Sequence, residues 1–173
     1  MIQIRKATSH DIEEISALGK STFLETYLPN TPREAVEEYA SRAFQQTTLQ
    51  TEFDNDTIHY FLIFFNKEAI GYGKIQLNVR NEHIETVALT KLDRLYVAKS
   101  FHGQQLGQQL LDYLITFSKK SKQHGMWLYV LIKNERAVRF YQRNHFKVVG
   151  EYDFKVSETR YNPNYVMYLS YSY

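Results

Sequence analysis

The chain has 173 residues, 43% of them hydrophobic and 23% charged, with a formal net charge of +2. That size and balance fit one folded domain over 1–173 with a core of its own, and the short basic cluster Lys119, Lys120 and Lys122 reads as a solvated helix face, not a nucleic-acid surface. The absence of cysteine excludes disulfides, thiolate metal sites and a cysteine nucleophile.

In chain order, Ile2 and Ile4 alternate with polar residues and mark a short first strand. The segment Met1-Ile2-Gln3-Ile4-Arg5 lacks the apolar stretch of a signal peptide, and the longest apolar run, Tyr60 to Phe65, is far below the roughly 18 residues of a membrane helix. A soluble, cytoplasmic protein is the expectation. Thr8 and Ser9 are N-cap candidates, and Ile12, Ile15 and Leu18 form a helical stripe continuing to Phe23. Pro32 opens a second helix through Phe44, and a weaker helical segment follows near Leu49 to Phe53. His59 to Phe65, a turn at Asn66-Lys67-Glu68, and Ala69 to Val79 read as a hairpin, with Gly71 and Gly73 marking a bulge or a close backbone approach. Residues 80–87 read as a loop and Leu89 to Val97 as a strand. Helices over Gln104 to Gln123 and Glu135 to Arg143 then alternate with strands over Met126 to Ile132 and Phe146 to Tyr152, before a last strand over Asn164 to Ser172. Strand–helix–strand alternation implies parallel pairing in the middle, and the hairpins imply antiparallel edges. The expected fold is α/β: a mixed, mostly antiparallel sheet with a central parallel pair and helices on both faces.

The most informative segment runs from Asp93 to Gly107: a strand, a glycine-containing turn at Gly103, and the start of a long helix. Unpaired amides and the helix dipole make such a start suitable for a pyrophosphate, although many helices begin after glycine and bind nothing. G-x-G-x-x-G and the Walker lysine pattern are both absent. Downstream, Asn134-Glu135-Arg136-Ala137-Val138-Arg139-Phe140-Tyr141 opens another helix. Taken alone, Asn134 is an N-cap, Phe140 a core residue and Tyr141 a buried aromatic.

Together these segments resemble the GCN5-related N-acetyltransferase (GNAT) family. The family's acetyl-CoA loop is written Arg/Gln-x-x-Gly-x-Gly/Ala; His102 stands at the first position, Gln105 at the first glycine, and Gly107 matches the second. The downstream segment matches the family's Asn-x-x-Ala-x-x-Phe-Tyr in full. Thr22-Phe23, Phe61 to Phe65, Ile70-Gly71-Tyr72, Asp93 to Val97 and Trp127-Leu128 are similar to PaiA-type spermidine/spermine acetyltransferases within it.

The resemblance implies that acetyl-CoA is the acetyl donor to a primary amine; with no cysteine and no Ser/His/Asp spacing, direct transfer in a ternary complex is expected, and the six His residues lack ligand spacing, so no metal is expected. It places the coenzyme on Leu95, Tyr96, Val97, His102, Gly103, Gln104, Gln105, Leu106, Gly107 and Gln108. Asn134, Arg136, Ala137 and Tyr141 complete that set. It implies Tyr141 as the general acid for the leaving thiolate and Asp93 as the base, directly or through water. The other reading of Asp93 is an ion pair with Arg94 or a backbone cap. Strand alternation puts Asp93, Leu95 and Val97 on one face, and Arg94 and Tyr96 on the other. A polyamine or other small amine is the implied acceptor, and Glu25, Glu34, Glu37, Glu38, Glu82 and Glu85 are carboxylates that would suit it, although Glu34, Glu37 and Glu38 read first as a solvated helix face. A peptide acceptor, or coenzyme binding without turnover, are the alternatives. A homodimer is common among such chains, with no nucleic-acid or membrane partner implied.

Overall fold

The computed structural model describes residues 1–172. The elements are β1 (Ile2–Lys6), α1 (Ile12–Tyr27), α2 (Arg33–Ala43), α3 (Gln46–Phe53), β2 (Ile58–Phe65), β3 (Glu68–Gln76) and β4 (Leu89–Val97), followed by α4 (Leu106–Lys120), β5 (Gly125–Leu131), α5 (Glu135–Arg143), β6 (Lys147–Ser157) and β7 (Arg160–Ser170). The strands form one sheet in the order β1-β2-β3-β4-β5-β7-β6, mostly antiparallel, with β4 and β5 parallel. This is the mixed sheet implied by the alternation of strands and helices. Packing groups the chain into two compact units: Met1–Ile75 with Arg94–Leu114, and Gln76–Asp93 with Ile115–Tyr173.

In the first unit β1 lies antiparallel to β2, from Ile2 opposite Phe65 to Lys6 opposite Phe61. Ile15, Phe44, Leu49, Tyr60, Leu62 and Tyr72 form its fully buried core against α1, α2 and α3. Helix α1 runs four residues beyond Phe23 because Phe23 and Tyr27, one turn apart, pack ring to ring at 4.4 Å, and Phe23 also stacks on Tyr39 of α2 at 4.8 Å. Gly71 is required by a close approach, since a Cβ there would collide with the Tyr96 carbonyl and stand 3.0 Å from the Val97 Cα of β4. At Gly73 it would meet Leu114 of α4 at 2.7 Å.

The entry to α1 is fastened by Asp11. Its carboxylate accepts two hydrogen bonds from Arg5 at 2.8 Å and one from the Thr8 N–H at 2.8 Å. The Arg5 hydrogen bond, working against burial and helped by Thr8, lowers the carboxyl from 3.8 to about 2. A lowered carboxyl contributes stability that is fully present above its unfolded value and is lost as pH falls through the folded one. Asp11→Ala should therefore cost about 1 kcal/mol in urea unfolding at pH 7. That difference should shrink between about pH 4 and pH 2.

In the second unit Leu89–Lys91 pair in parallel with Gly125–Trp127, and β5 continues antiparallel to β7 from Gly125 opposite Ser170 to Leu131 opposite Asn164. Ile84, Leu89, Trp127 and Val166 form a core on one face. Thr90, Ser118 and Tyr171 join hydroxyls beneath the sheet, at 2.6 Å and 2.9 Å. Several boundaries differ from the sequence reading. Strand β3 stops at Gln76, not Val79, because Asn78 turns left-handed at φ 61° and gives its N–H to the buried Gln123 side chain at 3.0 Å. Helix α4 stops at Lys120, short of Gln123, as Lys122 also turns left-handed at φ 60°. Strands β6 and β7 are longer than expected, sharing a hairpin ladder with bulges near Val148/Gly150 and Lys155/Ser157.

Candidate active site

In the first unit, β4 leads into a tight loop and then α4. A single 3-10 turn at Lys99–Phe101 follows the strand, and Phe101 packs on Phe65 at 5.7 Å. Glu25 of α1 accepts the Lys99 N–H at 3.1 Å, so one of the carboxylates proposed for an acceptor instead pins this loop. The His102 ring bonds the Val97 carbonyl at 2.8 Å, bracing the loop against the strand. Gly103 and Gln105 are both left-handed, at φ 83° and 58°. Gln105 thus holds, with a side chain, the conformation that glycine adopts without strain. The first helical bond runs from the Gln109 N–H to the Gln105 carbonyl at 3.1 Å. The amides ahead of it, among them those of Leu106 and Gly107, have no carbonyl within the helix to bond. Leu106 is buried and anchors the helix, whereas Gln104 is exposed and Gln108 bonds Asp112 one turn on at 2.9 Å. At Gly107 an added Cβ would meet nothing within 4 Å, so the protein leaves open space over the start of α4.

The end of β4 is half-buried at Leu95, Tyr96 and Val97. The Tyr96 ring faces inward, 5.8 Å from Tyr72, with its hydroxyl 3.4 Å from that of Tyr27. Of these three residues Tyr96 therefore offers a ligand only its main chain.

In the second unit, Asp93 forms an ion pair with Lys91 at 2.9 Å, not with Arg94. Lys91 in turn lies over the rings of Trp127 and Tyr129, at 5.5 Å and 5.4 Å. On α5, the Asn134 side chain accepts the Ala137 N–H at 3.2 Å, the N-cap seen in the sequence, which leaves its amide NH2 as a donor. Arg136 is exposed and Ala137 half-buried. Tyr141 is half-buried, its ring edge-on to Phe140 at 5.3 Å and Phe146 at 5.5 Å. The expectation of Phe140 as a core residue is corrected: Phe140 is half-buried, and Val138 and Phe146 are buried instead. Periodicity over nine residues of helix could not separate Val138 from Phe140.

Sequence reasoning missed Arg94. Its guanidinium lies 4.4 Å from the Phe44 ring centroid, among tyrosines, with a fully buried Nη1 that has no hydrogen-bond partner. The available signal was an arginine in the strand directly ahead of the apolar run Leu95-Tyr96-Val97. The acidic residues Glu34, Glu37 and Glu38 lie on a solvated helix face. Glu37 pairs with Arg33 at 2.8 Å and Glu38 with Arg42 at 3.7 Å on their own helix, and Glu34, Glu82 and Glu85 are exposed. Among the described residues no helix is long and apolar enough to cross a membrane.

Known proteins are similar to this chain in sequence and in fold. In fold, it superposes on a PaiA N-acetyltransferase from Thermoplasma acidophilum, crystallised in complex with coenzyme A, with a TM-score of 0.79 and 22% identity over 99% of both chains. An uncharacterized N-acetyltransferase from the pepI 3′ region of Lactobacillus delbrueckii subsp. lactis is 23% identical over 92% of each chain. A spermine/spermidine N(1)-acetyltransferase of Bacillus subtilis (strain 168) is 26% identical over 58% of this chain and 69% of its own. The family model for the acetyltransferase (GNAT) family matches residues 21–146, a span that includes β4, its loop, α4 and the Asn134–Tyr141 segment. The chain belongs to the GNAT family of acetyltransferases, N-acetyltransferases that take their acetyl group from acetyl-CoA.

Proposed function

We propose that the chain transfers the acetyl group of acetyl-CoA to the primary amine of a small molecule by direct attack in a ternary complex. The observation that carries this is the start of α4, where left-handed residues Gly103 and Gln105 feed a helix start with open space beside Gly107. Amides so arranged suit a diphosphate. The main chain of Leu95 and Val97 would run beside the pantetheine arm as an added strand, and the Asn134 NH2 would donate to it.

Acetyl-CoA supplies a thioester carbon open to attack. An amine attacks only after its ammonium has given up a proton, and Asp93 accepts that proton directly or through a water. The new C–N bond forms as an N–H of the β4 main chain steadies the oxyanion. The C–S bond then breaks: the Tyr141 phenol gives its proton to the departing thiolate, and the second proton shed by the attacking nitrogen as it becomes the amide returns through solvent to the phenol. No cysteine is present to carry an acyl-enzyme. The proposal treats 1–173 as one catalytic domain, supported by a family match that reaches into both compact units. It includes a cytoplasmic location and a homodimer, the latter tested by light scattering on the eluting protein.

A polyamine is the acceptor class that the names of two Bacillus subtilis relatives supply. Release of free coenzyme A against spermidine, spermine, simple amines, amino acids and peptides tests the reading. Absence of release with every acceptor would reject it in favour of coenzyme binding without turnover. Asp93→Asn should lower kcat/KM about 100-fold at pH 7, with the loss shrinking as pH rises toward the amine's own pKa. A pH profile identical to that of the unaltered protein would remove Asp93 from the role.

A further inference from the structure

We infer that Arg94, with Tyr72 beside it, is a receptor for a carboxylate on the acceptor, so that the preferred substrate is an amine carrying an anionic group, such as an amino acid. The inference rests on the transferase reading for its word acceptor, but its physical basis lies within the first compact unit alone.

Arg94 is half-buried on β4, and its Nη1 is fully buried without a hydrogen-bond partner. The Phe44 ring lies 4.4 Å from the guanidinium carbon, and Tyr39, Tyr60, Tyr72 and Tyr96 are close enough to act on its charge. Burial works against that charge, but a guanidinium is too strong a base to give up its proton in a protein, so the cation persists. The phenols do not neutralise it: burial pushes Tyr60, Tyr72 and Tyr96 up, and all three remain uncharged at neutral pH. The nearby carboxylate is already engaged. Glu52 takes the Lys74 ammonium at 2.8 Å and the Tyr60 hydroxyl, an arrangement with no net charge. No carboxylate pairs with Arg94 among the described residues.

A second orphan lies in the same cluster. The Tyr72 hydroxyl is buried and makes no hydrogen bond of ordinary geometry. It faces Thr22, whose own hydroxyl donates to the Leu18 carbonyl at 2.8 Å. Buried donors of this kind are rare in native proteins, and a buried charge without its counter-ion is rarer. A guanidinium fork matches a carboxylate in two hydrogen bonds, and a phenol O–H adds a third. An all-cationic acceptor would instead bring like charge against Arg94.

Coenzyme release measured on matched pairs tests this: each amino acid against its decarboxylated amine, with spermidine and tripeptides alongside. The expected result is that carboxylated acceptors exceed their twins in kcat/KM by roughly 10- to 100-fold. Arg94→Gln should collapse that ratio at least tenfold, with Arg94→Lys intermediate. A tripeptide preferred over every free amino acid would place the carboxylate on a peptide. No preference in any pair, or a preference that survives Arg94→Gln, overturns the inference. Should no acceptor of any charge release coenzyme, the transferase reading fails, and calorimetry with phenylacetate decides the receptor separately. Binding that is lost in Arg94→Gln supports it; binding absent from the unaltered protein, or kept in the variant, overturns it. A purely structural arginine is excluded by melting: Arg94→Met should melt no lower than the unaltered, ligand-free protein, because an uncompensated cation is removed from apolar surroundings. A fall of several degrees would overturn the inference.

Discussion

Tyr141→Phe should lower kcat for coenzyme release by roughly 100- to 1000-fold while acetyl-CoA still binds, the range typical of a lost general acid. The substitution removes one oxygen and leaves the ring. Edge-on packing against Phe140 and Phe146, at 5.3 Å and 5.5 Å, is available to phenylalanine as much as to tyrosine, so the turn joining α5 to β6 keeps its shape. The Phe146 N–H continues to bond the carbonyl of residue 141, seen here at 3.1 Å. A drop in turnover with an unaltered melting temperature and unaltered coenzyme titration therefore isolates the phenol proton. The role also predicts dependence on the leaving group: a donor whose thiol is more acidic than that of coenzyme A should suffer less from the substitution. Turnover unchanged in Tyr141→Phe would remove the residue from the chemistry, and solvent would then protonate the thiolate.

What could be read from the sequence and what could not divide along a physical line. Apolar period and turn chemistry located every strand and helix, because burial of one face is written directly in residue order. Helix α5 matched its expected bounds because Asn134 caps it through its own side chain, a local signal. Boundaries set by tertiary contacts were missed. Tyr27 extends α1 through contacts that include the Tyr96 hydroxyl, 69 residues away, and Asn78 ends β3 with help from Gln123. The same limit governs the site. His102 was legible as a loop position but not as the brace on Val97. Asp93 has Lys91 as its partner, two residues back on the same strand, whereas sequence adjacency pointed to Arg94. Arg94 itself is defined by rings from three separate segments, at residues 39–44, 60 and 72, and no local pattern reports such a meeting.

Gly107 gives the sharpest test of the coenzyme loop, because stability and binding should move in opposite directions. No atom lies within 4 Å of a Cβ added there, so the fold itself has room for a side chain. Glycine near a helix start is a poor helix former, by about 1 kcal/mol relative to alanine. Gly107→Ala should accordingly raise the unfolding free energy by up to about 1 kcal/mol, and its single carbon is small enough for coenzyme to remain. Gly107→Val fills the space over the leading amides with a branched group. It should leave the protein at least as stable yet weaken acetyl-CoA roughly 100-fold in calorimetric titration, because a diphosphate could no longer approach the amides of Leu106 and Gly107. Gln105→Gly provides the opposite arm: it releases a left-handed residue from the steric penalty of its side chain and should tighten acetyl-CoA several-fold. If valine at 107 and glycine at 105 both leave the affinity where it was, the diphosphate is not held at the start of α4, and the loop from Val97 to Gly107 is only a connection between strand and helix.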